Sequence, residues 1–444
     1  MKKLVLGASV LAIIAVVIFI TMDSDTAFNS DSDTLEKSSV FFEPTTVAAS
    51  ADQPSNAPSV AFDESSGKMY VVYIGEDPDG HNLYLKHSED GGKTFSSSLR
   101  INQNPDDVFL DGRVSPNVVV DNQGKIYVLW VKAEPAPELF MGVIRSLMFS
   151  YSEDGGKTFS PSIMIDKENL SGKSFHAIDV SSDGKIYVGW LDSPATLNEE
   201  GKIISDGSRP STVKFARSID GGKTFESSIV DTNPCPCCNV SILAESDDSV
   251  YISWRKIFEN PDGMTVRDMV VSHSSDTGKT FSTPSKISDD RFEFDGCVHV
   301  GAPMALDSKG NLHTVWYTGQ EDGPGVYYTR SSDNAQTFGK PIPILTDSWV
   351  PPLRAQLAID DKDNVWITWE DSTGLSANET VWRYEETQAM IYYAKITPQG
   401  IIERSTEPIN IAEGRSPVIA SGNGFVSIVW ASSDQDIQCS STSV

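Results

Sequence analysis

The densest chemistry in this chain is the run Cys235-Pro236-Cys237-Cys238, three thiols in four positions, followed further on by Cys297-Val298-His299. Thiolates and imidazole are soft donors that suit copper or zinc. One reading of Cys235, Cys237, Cys238, Cys297 and His299 is therefore a metal centre. A second reading is disulfides, for instance Cys238 to Cys297, because the adjacent pair Cys237 and Cys238 would close a strained ring. Redox-active thiols are a third. Cys-x-Cys-Cys departs from the Cys-x-x-Cys spacing usual for zinc, and Cys439 stands alone near the C-terminus.

A second group is cationic. Arg113, Arg354 and Arg415 each precede a strand-like run, and Arg255 and Asp268 flank two more. Guanidinium forks grip carboxylates and phosphates through paired hydrogen bonds. These five residues are the candidates for holding an anionic glycan, peptide or small molecule. The competing reading has the arginines bonding backbone carbonyls where elements meet. Asp192, Glu370 and Asp371 could add carboxylates, but exposed acids are common in so acidic a chain. No catalytic residue is assigned.

The elements that must position these groups come from an internal repeat. Ser-x-Asp-x-Gly-x-Thr-Phe stands at Ser88–Phe95, Ser152–Phe159, Ser218–Phe225 and Ser274–Phe281, with a fifth copy at Ser331–Phe338 in which Ala335 replaces the glycine. Around each copy lie four short runs rich in β-branched and aromatic residues, bounded by turn residues, as strands should be. The second run ends in an aromatic seven times: Tyr73, Trp130, Trp190, Trp254, Trp316, Trp369 and Trp430. Four-stranded units repeating at this period are propeller blades. The fold expected is all-β, a seven-bladed β-propeller, with six blades as the alternative. The last unit lacks its outer strand, and Phe42–Val47 supplies a matching pattern, so the two chain ends are expected to close the ring and hide both sheet edges. In the repeated turn the aspartate accepts bonds from following amides and glycine supplies the positive φ. The tryptophans are read as packing between blades.

The repeated turn resembles the Asp-box, or BNR repeat, of the sialidase superfamily. That resemblance implies a propeller and, as an alternative function, sialidase-type glycoside hydrolysis through an arginine triad, a Tyr–Glu nucleophile and an aspartate acid/base. No arginine occurs between residues 39 and 87, where the first triad arginine would stand, and Tyr317 has no evident glutamate partner. The cysteine cluster is foreign to ordinary sialidases. Binding rather than hydrolysis is therefore the favoured function, and a structural or adhesive role with stapled blades is a further alternative.

Composition bounds the rest. Lys+Arg 35 against Asp+Glu 62 leaves a net charge of −27, which repels phosphate backbones and excludes nucleic acid as a partner. Lys2 and Lys3 precede an uncharged, mostly apolar run from Leu4 to Met22. Its length approaches the ~20 residues of a membrane-crossing helix. Residues 1–22 are read as a signal-anchor, or alternatively a signal peptide, 23–38 as an acidic linker and 39–444 as the propeller. The body is expected to be extracytoplasmic, meeting a membrane through that helix only. Asn169, Asn239 and Asn378 begin glycosylation sequons.

Overall fold

The computed structural model describes residues 35–37 and 40–444, apart from 140–141, 168–169, 206–209, 246–247, 260–264, 295, 297, 349, 372–388 and 411. Seven sheets, each built on four antiparallel strands, form a seven-bladed β-propeller, with consecutive strands in six blades and both chain ends in the seventh. Their innermost strands are Ser55–Asp63, Asn117–Val120, Ser171–Val180, Ser241–Ala244, Met304–Leu306, Ala355–Ile359 and Gly414–Gly422, numbered here as blades one to seven. The expected closure is present. Thr45–Ala48 pairs antiparallel with Ile437–Ser443 as the outer strand of blade seven, with Thr45 opposite Cys439. An additional bond joins the Phe42 amide to the Ser441 carbonyl at 2.8 Å. Leu35–Lys37, inside the stretch expected to be a linker, pairs parallel with Ile402–Ser405 and adds a fifth strand to blade six. An outer edge carries free backbone groups, and any extended segment passing nearby can satisfy them.

The core lies between blades rather than within them. Tyr70, Val72 and Leu85 of blade one pack with Val118, Val128 and Trp130 of blade two in one cluster. Blades seven and one share another with Val47 and Ala48 of the closing strand. The strand-end tryptophans are buried, as expected, and three tie one blade to the segment that precedes it. Trp130 donates to the Asp107 carbonyl at 3.0 Å, Trp254 to Asp231 at 2.8 Å and Trp316 to Asp290 at 2.7 Å.

The repeated turns share one geometry. In blade one, the Asp90 carboxylate accepts from the Lys93 and Thr94 amides at 3.0 and 2.9 Å and from the Thr94 hydroxyl at 2.7 Å. Asp154, Asp220, Asp276 and Asp333 each accept from the threonine four residues on. Desolvation opposes ionisation of Asp90, but the bonds from Thr94, Ser88 and Lys93 outweigh it and hold the carboxyl at about 2. A carboxyl depressed in the fold contributes stability in full above its unfolded value of about 4 and loses it as pH falls through the folded value. The stability difference between wild type and Asp90→Asn is therefore expected to be constant from pH 7 to about 4 and to shrink between about 4 and 2. Urea unfolding at stepped pH checks this, and a difference that grows on acidification would contradict it.

The fifth copy explains its own exception. The glycines at this position approach the preceding blade three residues before its serine: a Cβ on Gly156 would meet Leu85 at 2.6 Å, on Gly222 Phe149 at 2.6 Å, and on Gly278 Phe215 at 2.2 Å. The matching residue for Ala335 is Val271, smaller than either ring, and both lie in one buried cluster. Space for a methyl exists there, although Ala335 still adopts φ 61°.

Candidate functional site at the channel mouth

Adjacent strands run antiparallel, so the start of every first strand opens on the face opposite the repeated turns. Two cavities follow the central axis. The inner one, about 260 Å³, is lined by inner-strand residues of all seven blades, among them Ser59, His176, Ile242 and Gln356. The outer one, about 360 Å³, is walled by Asp111, Arg113, His299, Arg354, Glu370 and Arg415. Arg113 and Arg354 belong to both. The three arginines expected at the mouth are brought together there.

They are not equivalent. Arg113 sits on a tight turn in which the Val114 amide bonds the Asp111 carbonyl at 2.9 Å. Its Nε and Nη2 reach the two Asp111 oxygens, each at 2.7 Å. Burial works against the Asp111 charge, but the Arg113 fork prevails and keeps the carboxyl below its ordinary value. Arg415 donates its Nε to Glu413 at 2.7 Å. Arg354 makes no ion pair among the described residues. Its Nη1 donates to the Ser416 hydroxyl at 2.9 Å and its Nη2 to the Gly112 carbonyl. Ser416, at φ 53°, is held by its amide on Glu370 at 2.7 Å. Arg354 thus reaches from blade six to the loop before blade two, with guanidinium hydrogens left over.

The sequence carries a signal for this difference in the residues that precede each arginine. Asp111-Gly112-Arg113 and Glu413-Gly414-Arg415 place an acid two residues before the base, whereas Arg354 follows Pro352-Leu353. An acid-Gly-Arg run folds back on itself, and Arg354 has no such neighbour.

Two histidines complete the mouth. His299 stacks on Phe175, centroids 6.1 Å apart and 18° between planes. His176 is buried in the channel wall, and neither ring nitrogen makes a well-formed hydrogen bond. Burial pushes its imidazole down to about 4, only weakly offset by the Leu129 backbone, so it is neutral at physiological pH. Asn239 also lines the inner cavity, where no bulky glycan could be attached. Asn169 and Asn378 fall outside the described residues.

No family profile and no curated protein matches the sequence. Solved structures resemble it only distantly. A protein of unknown function from Dyadobacter fermentans is 14% identical, with 91% of this chain and 98% of that one covered at a TM-score of 0.46. A polysaccharide lyase described as an ulvan lyase is 13% identical, with 91% and 95% covered at 0.49. A sialidase from Streptococcus pneumoniae is 10% identical, with 91% and 94% covered at 0.45. Likeness at this level concerns architecture, and the chemistry belongs to this chain's own residues.

Two expected ligand residues are placed elsewhere. Arg255 is 1% exposed, with Nη1 on the Arg267 carbonyl at 2.9 Å and Nη2 on the Tyr317 carbonyl at 2.8 Å. Asp268 is fully buried, paired with Lys286 at 2.8 Å and accepting from the Phe292 amide. Both hold blade four to its surroundings and neither lines the two channel cavities, because they lie within the paired strands Val250–Glu259 and Thr265–Ser274, where packing between blades covers them. Asp192 is likewise buried and accepts from the Ser171 hydroxyl at 2.6 Å. Tyr317 is buried, and its hydroxyl donates to the Val350 carbonyl at 2.8 Å.

Cys235, Cys237 and Cys238 do come together, all buried, on the turn between blades three and four. His299 is not among the donors gathered there, and Cys297 lies outside the described residues. Hydrogen bonds from Cys237 and Cys238 pull the Cys235 thiol well below its ordinary value, with Arg267 and Arg255 adding to the effect. Burial pushes Cys238 the other way. Cys439 is separate. It is buried in blade seven, its sulfur 3.0 Å from where a Gly92 Cβ would stand, and burial raises its thiol to about 12.

Proposed function

We propose that this protein is an extracytoplasmic binding propeller that captures an anionic glycan by its carboxylate at the channel mouth, displayed from the N-terminal apolar segment. The repeated turns are read as Asp-boxes that brace the blades. The observation that carries the reading is Arg354. Three cations line one cavity of a strongly acidic chain, and two are answered by their own carboxylates while Arg354, among the described residues, is held by a hydroxyl and a carbonyl. A ligand carboxylate can take its remaining donors without displacing an internal ion pair. Hydrolysis draws no support from Tyr317, whose hydroxyl is already engaged.

Titration calorimetry with uronate- and sialate-bearing oligosaccharides, beside their neutral counterparts, tests this. Acidic glycans are expected to bind and to weaken with salt. Arg354→Ala is expected to lose roughly 10- to 100-fold in affinity, the worth of a charge-assisted hydrogen bond. Equal binding of neutral and acidic glycans would end the proposal.

A further inference from the structure

Neither cavity at the channel is lined by a cysteine, yet the three buried thiols form a constellation of their own. Cys235 Sγ lies 3.7 Å from Cys237 Sγ and 3.5 Å from Cys238 Sγ, and all three sulfurs fall within 4.8 Å of one another. A disulfide needs about 2.05 Å. A point equidistant from three sulfurs so spaced lies roughly 2.0–2.4 Å from each, which matches a metal–thiolate bond of about 2.3 Å.

The backbone fixes this spacing. The Cys235 amide bonds the Arg255 carbonyl at 2.7 Å, Pro234 bridges to Lys256, and the chain turns at the exposed Pro236 to bring Cys237 and Cys238 back. Pro236 is exposed and Cys237 is 8% exposed, while Cys235 and Cys238 are each 1% exposed. We propose that the Cys235-Pro236-Cys237-Cys238 turn is a three-thiolate binding site for a single copper(I) ion.

Coordination number and charge select the metal. Structural zinc takes four protein ligands, and among the described residues the donors gathered here number three, a number that a soft monovalent ion accepts from thiolates. Three thiolates with copper(I) carry a charge of −2. Two guanidinium groups stand beside them: Arg267 donates to Cys235 Sγ at 3.5 Å, and the buried Arg255 lies behind the turn with its Nε free of any hydrogen bond. Zinc would leave only −1 against the same two cations. On binding, three metal–sulfur bonds form and the protons still held by the thiols pass to water. The ion arrives as copper(I), so no electron is transferred.

The test is anaerobic titration of the reduced full-length chain with copper(I) against a competing copper(I) chelator. One equivalent is expected to be held, and to be lost in Cys235→Ser and in Cys238→Ser but kept in Cys439→Ser. Arg267→Met retains all three sulfurs and is expected to weaken binding about 10-fold, which guards against misfolded serine variants. Preference for zinc(II) over copper(I), absence of binding, or a disulfide within the trio on peptide mapping of the chain as isolated, before any reduction, would each overturn the assignment. Arg354→Ala is expected to leave copper binding unchanged, so failure of this site and failure of the mouth are told apart.

Discussion

Gly278→Ala is expected to destabilise the protein by about 3 kcal/mol, far more than a single methyl group suggests. Two effects add. Gly278 adopts φ +75°, where a Cβ costs about 1–2 kcal/mol. The new Cβ would also stand 2.2 Å from a carbon of the Phe215 ring. That ring has nowhere to go: it is 1% exposed, stacked on Tyr187 at 5.9 Å and capped edge-on by Phe281 at 5.0 Å. Gly184→Ala separates the two effects, because Gly184 has φ +81° and no atom within 4 Å of its prospective Cβ. It is expected to lose only about 1 kcal/mol. Urea midpoints at constant m-value measure both. Equal losses would mean that the seam between blades three and four yields to the added carbon.

The repeat made the architecture legible because each blade is assembled from local signals. Strand alternation, turn residues and the strand-end aromatics all recur in sequence, and the ring follows once they are counted. Even the closure was visible, since the last unit lacks a strand that Phe42–Val47 supplies. The site was legible only in part. A loop before an inner strand must reach the mouth, and that alone placed Arg113, Arg354 and Arg415 correctly.

What the sequence does not state is which polar side chains at a strand end are then covered. Arg255 and Asp268 lie within the second and third strands of blade four rather than in a loop before an inner strand, and Phe292 lies over the Arg255 guanidinium at 5.5 Å while its own backbone amide bonds Asp268. That cover comes from the loop leading into blade five, which has no counterpart in the repeat. His299 lies apart from the three described thiols. Lying two residues from a cysteine says nothing about direction, and at φ 57° the chain turns its ring onto Phe175 of blade three.

Arg255 itself sets up the other large effect, a contest between two opposed terms. Removing a buried cation that makes no ion pair relieves a desolvation cost and can stabilise a protein when an apolar group of similar volume takes its place. Against that, the guanidinium is the hydrogen-bond donor to the Arg267 and Tyr317 carbonyls and packs over Phe292. Each carbonyl orphaned in the interior costs about 1–3 kcal/mol. Arg255→Met keeps most of the volume and removes the charge, so its loss reports the carbonyls alone, less the relief of desolvation. A net loss of about 2 kcal/mol is expected. Arg255→Ala adds a cavity between blades four and five and is expected to lose about 4 kcal/mol. Urea unfolding of the two variants side by side decides which term governs. If Arg255→Met is as stable as wild type, the buried guanidinium contributes nothing net through its bonds and is retained for its charge beside Cys235. If both variants fall as expected, the same side chain that fastens blade four to blade five also supplies the positive field behind the three thiols.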